Sequence, residues 1–419
     1  MLLQSIALFF LVMAIVLGFV RKINVGIVSL GMALVLALIG GVKISVLFTG
    51  FPTKLFLTLL GTMFFFCLLQ ENHTLELLSK KIVSALANRQ YLVPVIVYLV
   101  SYVLSAVGPG AISVQSVMVI FAVSLAVQMK TSPLLVASMA ILGAVGGTAS
   151  PIALTGIIVT DLTMNMNLGT DVATPVFYGV SAANFLCAVI VYFLFKGYKL
   201  KSVEGFETEQ LPSFNSQQKI GIFSIVLLVV AVVGFRYDVG FVSFSLALGL
   251  ILCRAVNEKK ALQLVPWNVL LLICGVNVLM SVTQAMGGIK LLSNLLAMLM
   301  NQHTAASVIG IMGGVMSWFS SANGVVFPTL IPTVPDIVRA VGGNADAVEM
   351  IMAIVGGATV AGISPLSTGG SLILASYTQE TNASEETQQA LFAKLFVTSF
   401  GMVTIVAVFS FLGAFKIFC

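Results

Sequence analysis

Apolar residues run along this chain in blocks separated by short polar stretches. In the first half the blocks cover 2–20, 25–42, 53–70, 132–160 and 174–195. In the second they cover 220–235, 239–253, 266–285, 346–376 and 390–415. Most approach or exceed the roughly 20 residues that a helix needs to cross a bilayer. Between the third and fourth blocks of each half the pattern changes. Residues 72–88 and 287–301 mix polar groups with leucines, as interfacial helices do. Each is followed by an apolar hairpin, 91–129 and 304–338, that breaks at its centre, at "SAVGPGA" and "SSANGVV". The long blocks 132–160 and 346–376 are also interrupted, at "GGTASPIALTG" and "AGISPLSTGG".

The interruptions recur at a fixed distance. Shifting the chain by 214 residues lays Val25 on Val239, Gly26 on Gly240, Pro52 on Pro266 and Gly61 on Gly275. It also lays Gly110 on Gly324, Gly143 on Gly357, Ser150 on Ser364 and Pro151 on Pro365. Glycine and proline mark backbone geometry, so their agreement carries more weight than matched leucines. Each half has five spans plus a hairpin, which adds two crossings or none. The total is odd either way, so the second copy is predicted to be inverted in the membrane. The expected fold is an all-α polytopic membrane protein. It has two inverted repeats of about five transmembrane helices each, with a re-entrant hairpin and a broken helix per repeat. Residues 1–196 form the first repeat, 197–218 a connector and 219–419 the second.

Composition agrees: 59% of the 419 residues are hydrophobic and 8% charged, against roughly 25% charged in soluble domains. The alternating ten-residue segments of a β-barrel are absent. The net charge of +5 suggests no nucleic-acid partner. With the N-terminus outside, fourteen Lys and Arg residues fall on the inner side, among them Arg21, Lys80, Arg89, Lys201, Lys259 and Lys260; six, including Lys54 and Lys290, fall outside. The positive-inside rule then places both termini outside and the connector in the cytoplasm. Cys67, Cys187, Cys253, Cys274 and Cys419 lack metal-type spacing, and the first four read as packing residues. No ionisable residue lies near the centre of any predicted span; Asp161, Asp171 and Asp336 fall at ends or in loops. That disfavours a proton relay. No enzyme is expected, because nothing in the spans supplies a nucleophile–base pair or a metal cluster.

The candidate chemistry sits at the four breaks. A helix end leaves about four backbone N–H or C=O groups unpaired, and in lipid each costs several kcal/mol unless protein or a polar cavity covers it. Candidate substrate-binding residues are Ser105, Gly108, Pro109 and Gly110 at the first hairpin tip and Ser321, Asn323 and Gly324 at the second. At the interrupted spans they are Thr148, Ser150 and Pro151, and Ser364, Pro365, Ser367 and Thr368. Half-helix N-termini offer N–H groups and partial positive charge to an anion. Loop carbonyls and hydroxyls offer oxygen to Na⁺, with candidates at Ser105, Gly147, Ser320, Asn323 and Gly362. No cofactor is expected beyond Na⁺ as a coupling ion.

"GFPTKLFLTLLGTMFFFCLLQENHTLELL", "SAVGPGAISVQSVMVI" and "GGTASPIALTG" resemble the malonate/dicarboxylate carrier family of MatC type. "MSWFSSANGVVFPTLIPTVP" resembles the matching hairpin of the wider ion-transporter superfamily, which includes divalent-anion/sodium symporters. The resemblance implies a dimeric elevator-type carrier in a bacterial cytoplasmic membrane. Its scaffold would include 25–42, 53–70, 239–253 and 266–285, and its mobile part both hairpins and both broken helices. In the symporter branch a Ser-Asn-Thr triplet at each tip binds carboxylate and helps to bind Na⁺. Here the second tip reads Ser321-Ala322-Asn323 and the first has no such triplet. The expected function is secondary transport of a small carboxylate such as malonate or a C4 dicarboxylate, with Na⁺ favoured over H⁺. An Na⁺/H⁺ antiporter or another inorganic-anion transporter of the superfamily is the alternative within transport. A non-transporting membrane scaffold is the alternative outside it.

Overall fold

The computed structural model describes residues 2–85, 90–164, 166, 172–200, 211–342 and 345–419. Arg89, Asp171, Lys201 and the rest of 201–210 in the central connector lie outside the described residues. The first half comprises α1 (Leu2–Arg21), α2 (Val25–Gly40), α3 (Ser45–Thr49), α4 (Thr53–Glu71) and α5 (Thr74–Ala85), then α6 (Val93–Ala106), α7 (Gly110–Gln128), α8 (Pro133–Gly147), α9 (Leu154–Met164) and α10 (Ala173–Leu194). The second comprises α11 (Ser216–Val229), α12 (Val239–Leu252), α13 (Glu258–Leu264), α14 (Trp267–Ala285), α15 (Gly288–Ala297) and α16 (Ala305–Phe319). It continues with α17 (Phe327–Leu330), α18 (Val334–Ala340), α19 (Ala347–Val360), α20 (Thr368–Thr381) and α21 (Glu385–Phe411). The protein is an all-α polytopic membrane protein. Seven helical stretches among the described residues are long and apolar enough to cross a bilayer. Phe9, Leu38, Phe241, Leu252, Phe400 and Phe411 stand exposed on its outer helices, which is where lipid removes the cost of apolar exposure.

The helix starts repeat. Leu2 and Ser216, Val25 and Val239, Thr53 and Trp267, Thr74 and Gly288, Pro133 and Ala347, and Leu154 and Thr368 each differ by 214. Local chemistry explains several of these starts. Asn24 and Asp238 cap α2 and α12 by accepting from Gly26 N and Phe241 N. Pro52 and Pro266 precede α4 and α14, where a missing N–H costs the helix nothing.

The halves interlock. α2 packs on α14, and α4 packs on α12. A Cβ on Gly26 would strike the Leu271 carbonyl, and one on Gly275 would strike the backbone of Gly26. Across the other pair, a Cβ on Gly61 would strike the Gly240 carbonyl, and one on Gly240 would lie 2.6 Å from Thr58 Cα. The shift of 214 exchanges these two contacts, as a two-fold relation between the halves requires. Small residues suit such helix contacts because apolar side chains gain little from leaving lipid, so close backbone approach supplies the attraction.

The two hairpins differ. The return arm of the first is the single 19-residue helix α7. The second was expected to break only at its tip, but its return arm is segmented. A π turn at Ala322–Val326 leads into α17, a 3-10 turn at Ile331–Thr333 and α18. Pro328, Pro332 and Pro335 each fall in the first two positions of a segment, because each lacks the N–H that would continue the preceding turn. The interfacial stretches are helical at α5 and α15. α15 buries Gly288, Ile289, Ser293 and Leu296, one stripe at helical spacing.

Candidate functional site

The two interrupted spans are broken where the sequence indicates. The first stops at Gly147 and resumes at Leu154. The second stops at Val360, passes through a 3-10 turn at Ala361–Ile363 and resumes at Thr368. Their backbones are held differently. At the first break the Thr148 carbonyl accepts from Thr155 N and Gly156 N, both at 3.1 Å, so the opening amides of α9 are already engaged. At the second, Ser367 caps α20 in position only. Its hydroxyl donates to the Gly362 and Ser364 carbonyls, at 2.6 and 2.7 Å. Among the described residues, the N–H groups of Thr368, Gly369 and Gly370 meet no acceptor. Gly369 and Gly370 are buried, so these donors lie unpaired inside the protein. Such orphans are rare in folded proteins.

Three contacts gather the breaks and tips. Gly110, with φ +72°, starts α7, and a Cβ there would stand 2.9 Å from Leu154 Cβ and 3.3 Å from Thr148 Oγ1. That places the first tip against the first break. Thr155 Oγ1 donates to Asn323 Oδ1 at 2.9 Å, linking the first break to the second tip across the halves. A Cβ on Gly369 would stand 2.9 Å from Ile141 Cδ1 and 3.4 Å from Gln115 Oε1, linking the second break to α8 and α7.

The remaining candidates occupy defined places. Ser105 and Thr148 have buried hydroxyls with no partner. Gly147 sits on the Tyr102–Ala106 turn that carries Ser105; a Cβ there would lie 2.9 Å from Ala106 N. Gly108 has φ +146° and would meet Phe66 if it bore a Cβ, while Pro109 precedes the first turn of α7. Ser150 is buried and Pro151 exposed. Ser320 Oγ donates to the Met316 carbonyl at 2.7 Å, and Ser321 Oγ accepts from Gly324 N at 3.2 Å. Both serines therefore serve the backbone of their own tip. Ser364 Oγ accepts from Leu366 N at 3.3 Å, and Pro365 is buried beside it.

Behind the second break, Trp318 Nε1 donates to Ser399 Oγ at 2.9 Å, and Ser399 Oγ donates to the Ala361 carbonyl at 3.1 Å. This relay fixes the point where α19 ends. Thr155 and Gln115 are not among the residues expected from sequence. Both are polar residues one to five positions past a break or tip, which is the signal that could have marked them.

A cavity of about 440 Å³ opens beside the first half, lined by residues that include Gln70, Glu71, His73, Glu76 and Lys260. A separate pocket of about 10 Å³ shares Gln70 and Val117 in its lining and touches Leu104 and Pro109 at the first tip. The rim of the larger cavity is ionic. The Lys80 ammonium, 2.8 Å from Glu76, holds the Glu76 carboxyl below the usual carboxylate range. Asn257 N donates to Glu71 Oε2 at 3.0 Å.

The description "Dicarboxylate carrier protein MatC N-terminus" matches residues 1–148. No curated protein matches the chain. The fold is similar to that of the YdaH transporter of Alcanivorax borkumensis, with TM-score 0.58 and 14% identity, over 87% of this chain and 86% of that one. It is also similar to that of MtrF of Neisseria gonorrhoeae, described as one of a class of antimetabolite efflux pumps, with TM-score 0.52 and 14% identity, over 86% and 82%. The amino-terminal third thus resembles that of the MatC dicarboxylate carriers, and the chain as a whole shares its fold with two membrane transporters.

Proposed function

We propose that the protein is a secondary carrier of a small carboxylate, of malonate or C4-dicarboxylate type, coupled to Na⁺. The observation that carries this reading is the set of unpaired, buried amides at the start of α20. An anion satisfies several such donors at once and is favoured further by the helix dipole. The match of residues 1–148 to dicarboxylate carriers supports a carboxylate as that anion. The first break suits the opposite charge. Its amides are engaged, and the free groups near it are the Ser105 and Thr148 hydroxyl oxygens. These are oxygen ligands for a small cation beside Gly147. Asn323 bridges the two: with Oδ1 taken by Thr155, its Nδ2 is left to donate.

On this reading the movement is of elevator type. The interlocked α2, α4, α12 and α14 are the static part, and the hairpins with α8, α9, α19 and α20 are the moving part. The repeats are inverted, and the carrier works as a homodimer in a bacterial cytoplasmic membrane. The cavity beside Lys80 and Lys260 then opens to the cytoplasm.

Uptake by proteoliposomes tests the function. Labelled malonate or succinate is expected to accumulate only with the protein present and to rise with an inward Na⁺ gradient. Accumulation driven by a pH gradient and indifferent to Na⁺ would remove the coupling. Orientation has its own test. In a Cys253→Ser, Cys419→Ser background, Ser213→Cys is expected to react with an impermeant maleimide only from the cytoplasmic side. Labelling from outside reverses the assignment.

A further inference from the structure

α7 and α20 lie along each other, and two contacts set their register. Ser124 Oγ donates to Glu380 Oε1 at 2.9 Å at one end. Gln115 stands against Gly369 at the other, its Oε1 3.4 Å from where a Cβ would be. Gln115 is 4% exposed, yet among the described residues its carboxamide atoms are not among the fully enclosed groups that lack a partner, so the end of this side chain remains open to a ligand. It faces the helix end whose Gly369 and Gly370 amides are buried and unpaired. A polar side chain and a set of unpaired amides, from different halves of the chain, converge on one place. Oε1 is the Gln115 atom that stands toward Gly369, and rotation of the carboxamide exchanges it for the Nε2 donor. One bound anion satisfies both.

We propose that Gln115 is a specificity-determining residue of the substrate site: its carboxamide and the opening amides of α20 together hold one carboxylate group of the transported solute. The proposal rests on the carboxylate reading above and adds the residue that reads the anion's shape. The α20 amides supply charge complementarity that any anion would use. Gln115, with its carboxamide turned so that Nε2 faces the anion, supplies a donor at a set distance from the helix end, so it selects by geometry. No ionisable side chain competes. α7 and α8 carry none, and the two on α20, Tyr377 and Glu380, lie eight and eleven residues beyond Gly369, with Glu380 engaged by Ser124. Gly369 keeps the arrangement open. A side chain there would meet the Gly362 carbonyl at 2.6 Å as well as Gln115.

The test uses the full-length protein in proteoliposomes, with malonate and succinate as probes and thermal unfolding as a check on folding. Gln115→Leu is expected to raise KM for malonate about 10-fold or more, the scale of a lost donor to a charged group. Gln115→Glu places a carboxylate against the anion and is expected to be worse at neutral pH. Protonated glutamate is neutral and donates an O–H, so its deficit relative to wild type is expected to shrink as pH falls through the carboxyl range. A merely structural role would not give that dependence. Gln115→Asn draws the carboxamide back by one methylene and is expected to shift preference toward succinate by about 10-fold. A stable Gln115→Leu with wild-type KM would overturn the proposal, as would a Gln115→Glu deficit that is the same at every pH. Failure of wild-type protein to carry any carboxylate would instead defeat the parent reading.

Discussion

Gly370→Ala is expected to reduce uptake by 100-fold or more, about 2.8 kcal/mol at 1.4 kcal/mol per decade. The first turn of α20 folds back so closely that a Cβ on Gly370 would strike the carbonyls of Ile363 and Ser364. Gly156 has the same relation to the Ser150 carbonyl, 214 residues earlier. A side chain at the far end of a flexible stem could yield, but a backbone carbonyl inside a packed turn cannot. Overpacking a well-filled site typically costs 1–3 kcal/mol, and here the displaced atoms are those that aim the helix end. Gly156→Ala is expected to act in the same way through the first break. Gly249→Ala is the control, since a Cβ there meets nothing within 4 Å. Initial uptake rates and thermal unfolding of the three variants check this. A Gly370→Ala protein that transports normally would mean that the close approach has no bearing on transport.

The Thr155–Asn323 pair is expected to behave as a unit. Thr155 is fully buried, and its hydroxyl donates to Asn323 Oδ1 across the halves. Thr155→Val keeps the volume but frees the carboxamide to rotate and leaves an acceptor without its donor. That costs about 1–3 kcal/mol, or roughly 5- to 150-fold in KM. Asn323→Ala is expected to lose at least as much, because it also removes the Nδ2 donor. The double variant should be no worse than Asn323→Ala alone, giving a coupling of 1 kcal/mol or more in a double-mutant cycle. Strict additivity of the two losses would show that Thr155 does not act through Asn323.

Much of the fold was legible because glycine and proline leave geometric marks in a sequence. The shift that aligns Pro52 with Pro266 and Ser150 with Ser364 also aligns six helix starts. The breaks at Gly147 and Val360 lie beside the prolines that indicated them. The segmented arm after the second tip was written in Pro328, Pro332 and Pro335, yet apolarity alone suggested one continuous run. The candidate site was legible only in outline. Asn323 stood out at a tip, but its partner is 168 residues away in sequence and is fixed by how the halves pack. Gln115 has the composition of an ordinary polar residue in a helix; only its burial and its place beside Gly369 distinguish it. Nor could the sequence show that the matched breaks differ. Both carry Ser-Pro, and the difference lies in which carbonyl reaches which amide.

The Trp318–Ser399–Ala361 relay has an optical consequence. The chain has two tryptophans. Trp267 is 42% exposed at the start of α14, whereas Trp318 is buried, with Phe396 and Phe400 rings 5.3 and 6.0 Å away. With Trp267→Phe, a single indole remains, and its N–H is tied through one serine to the turn before α20. Emission from that fluorophore is a built-in gauge of the second break, so solute arrival can be followed by stopped-flow mixing without attaching any dye.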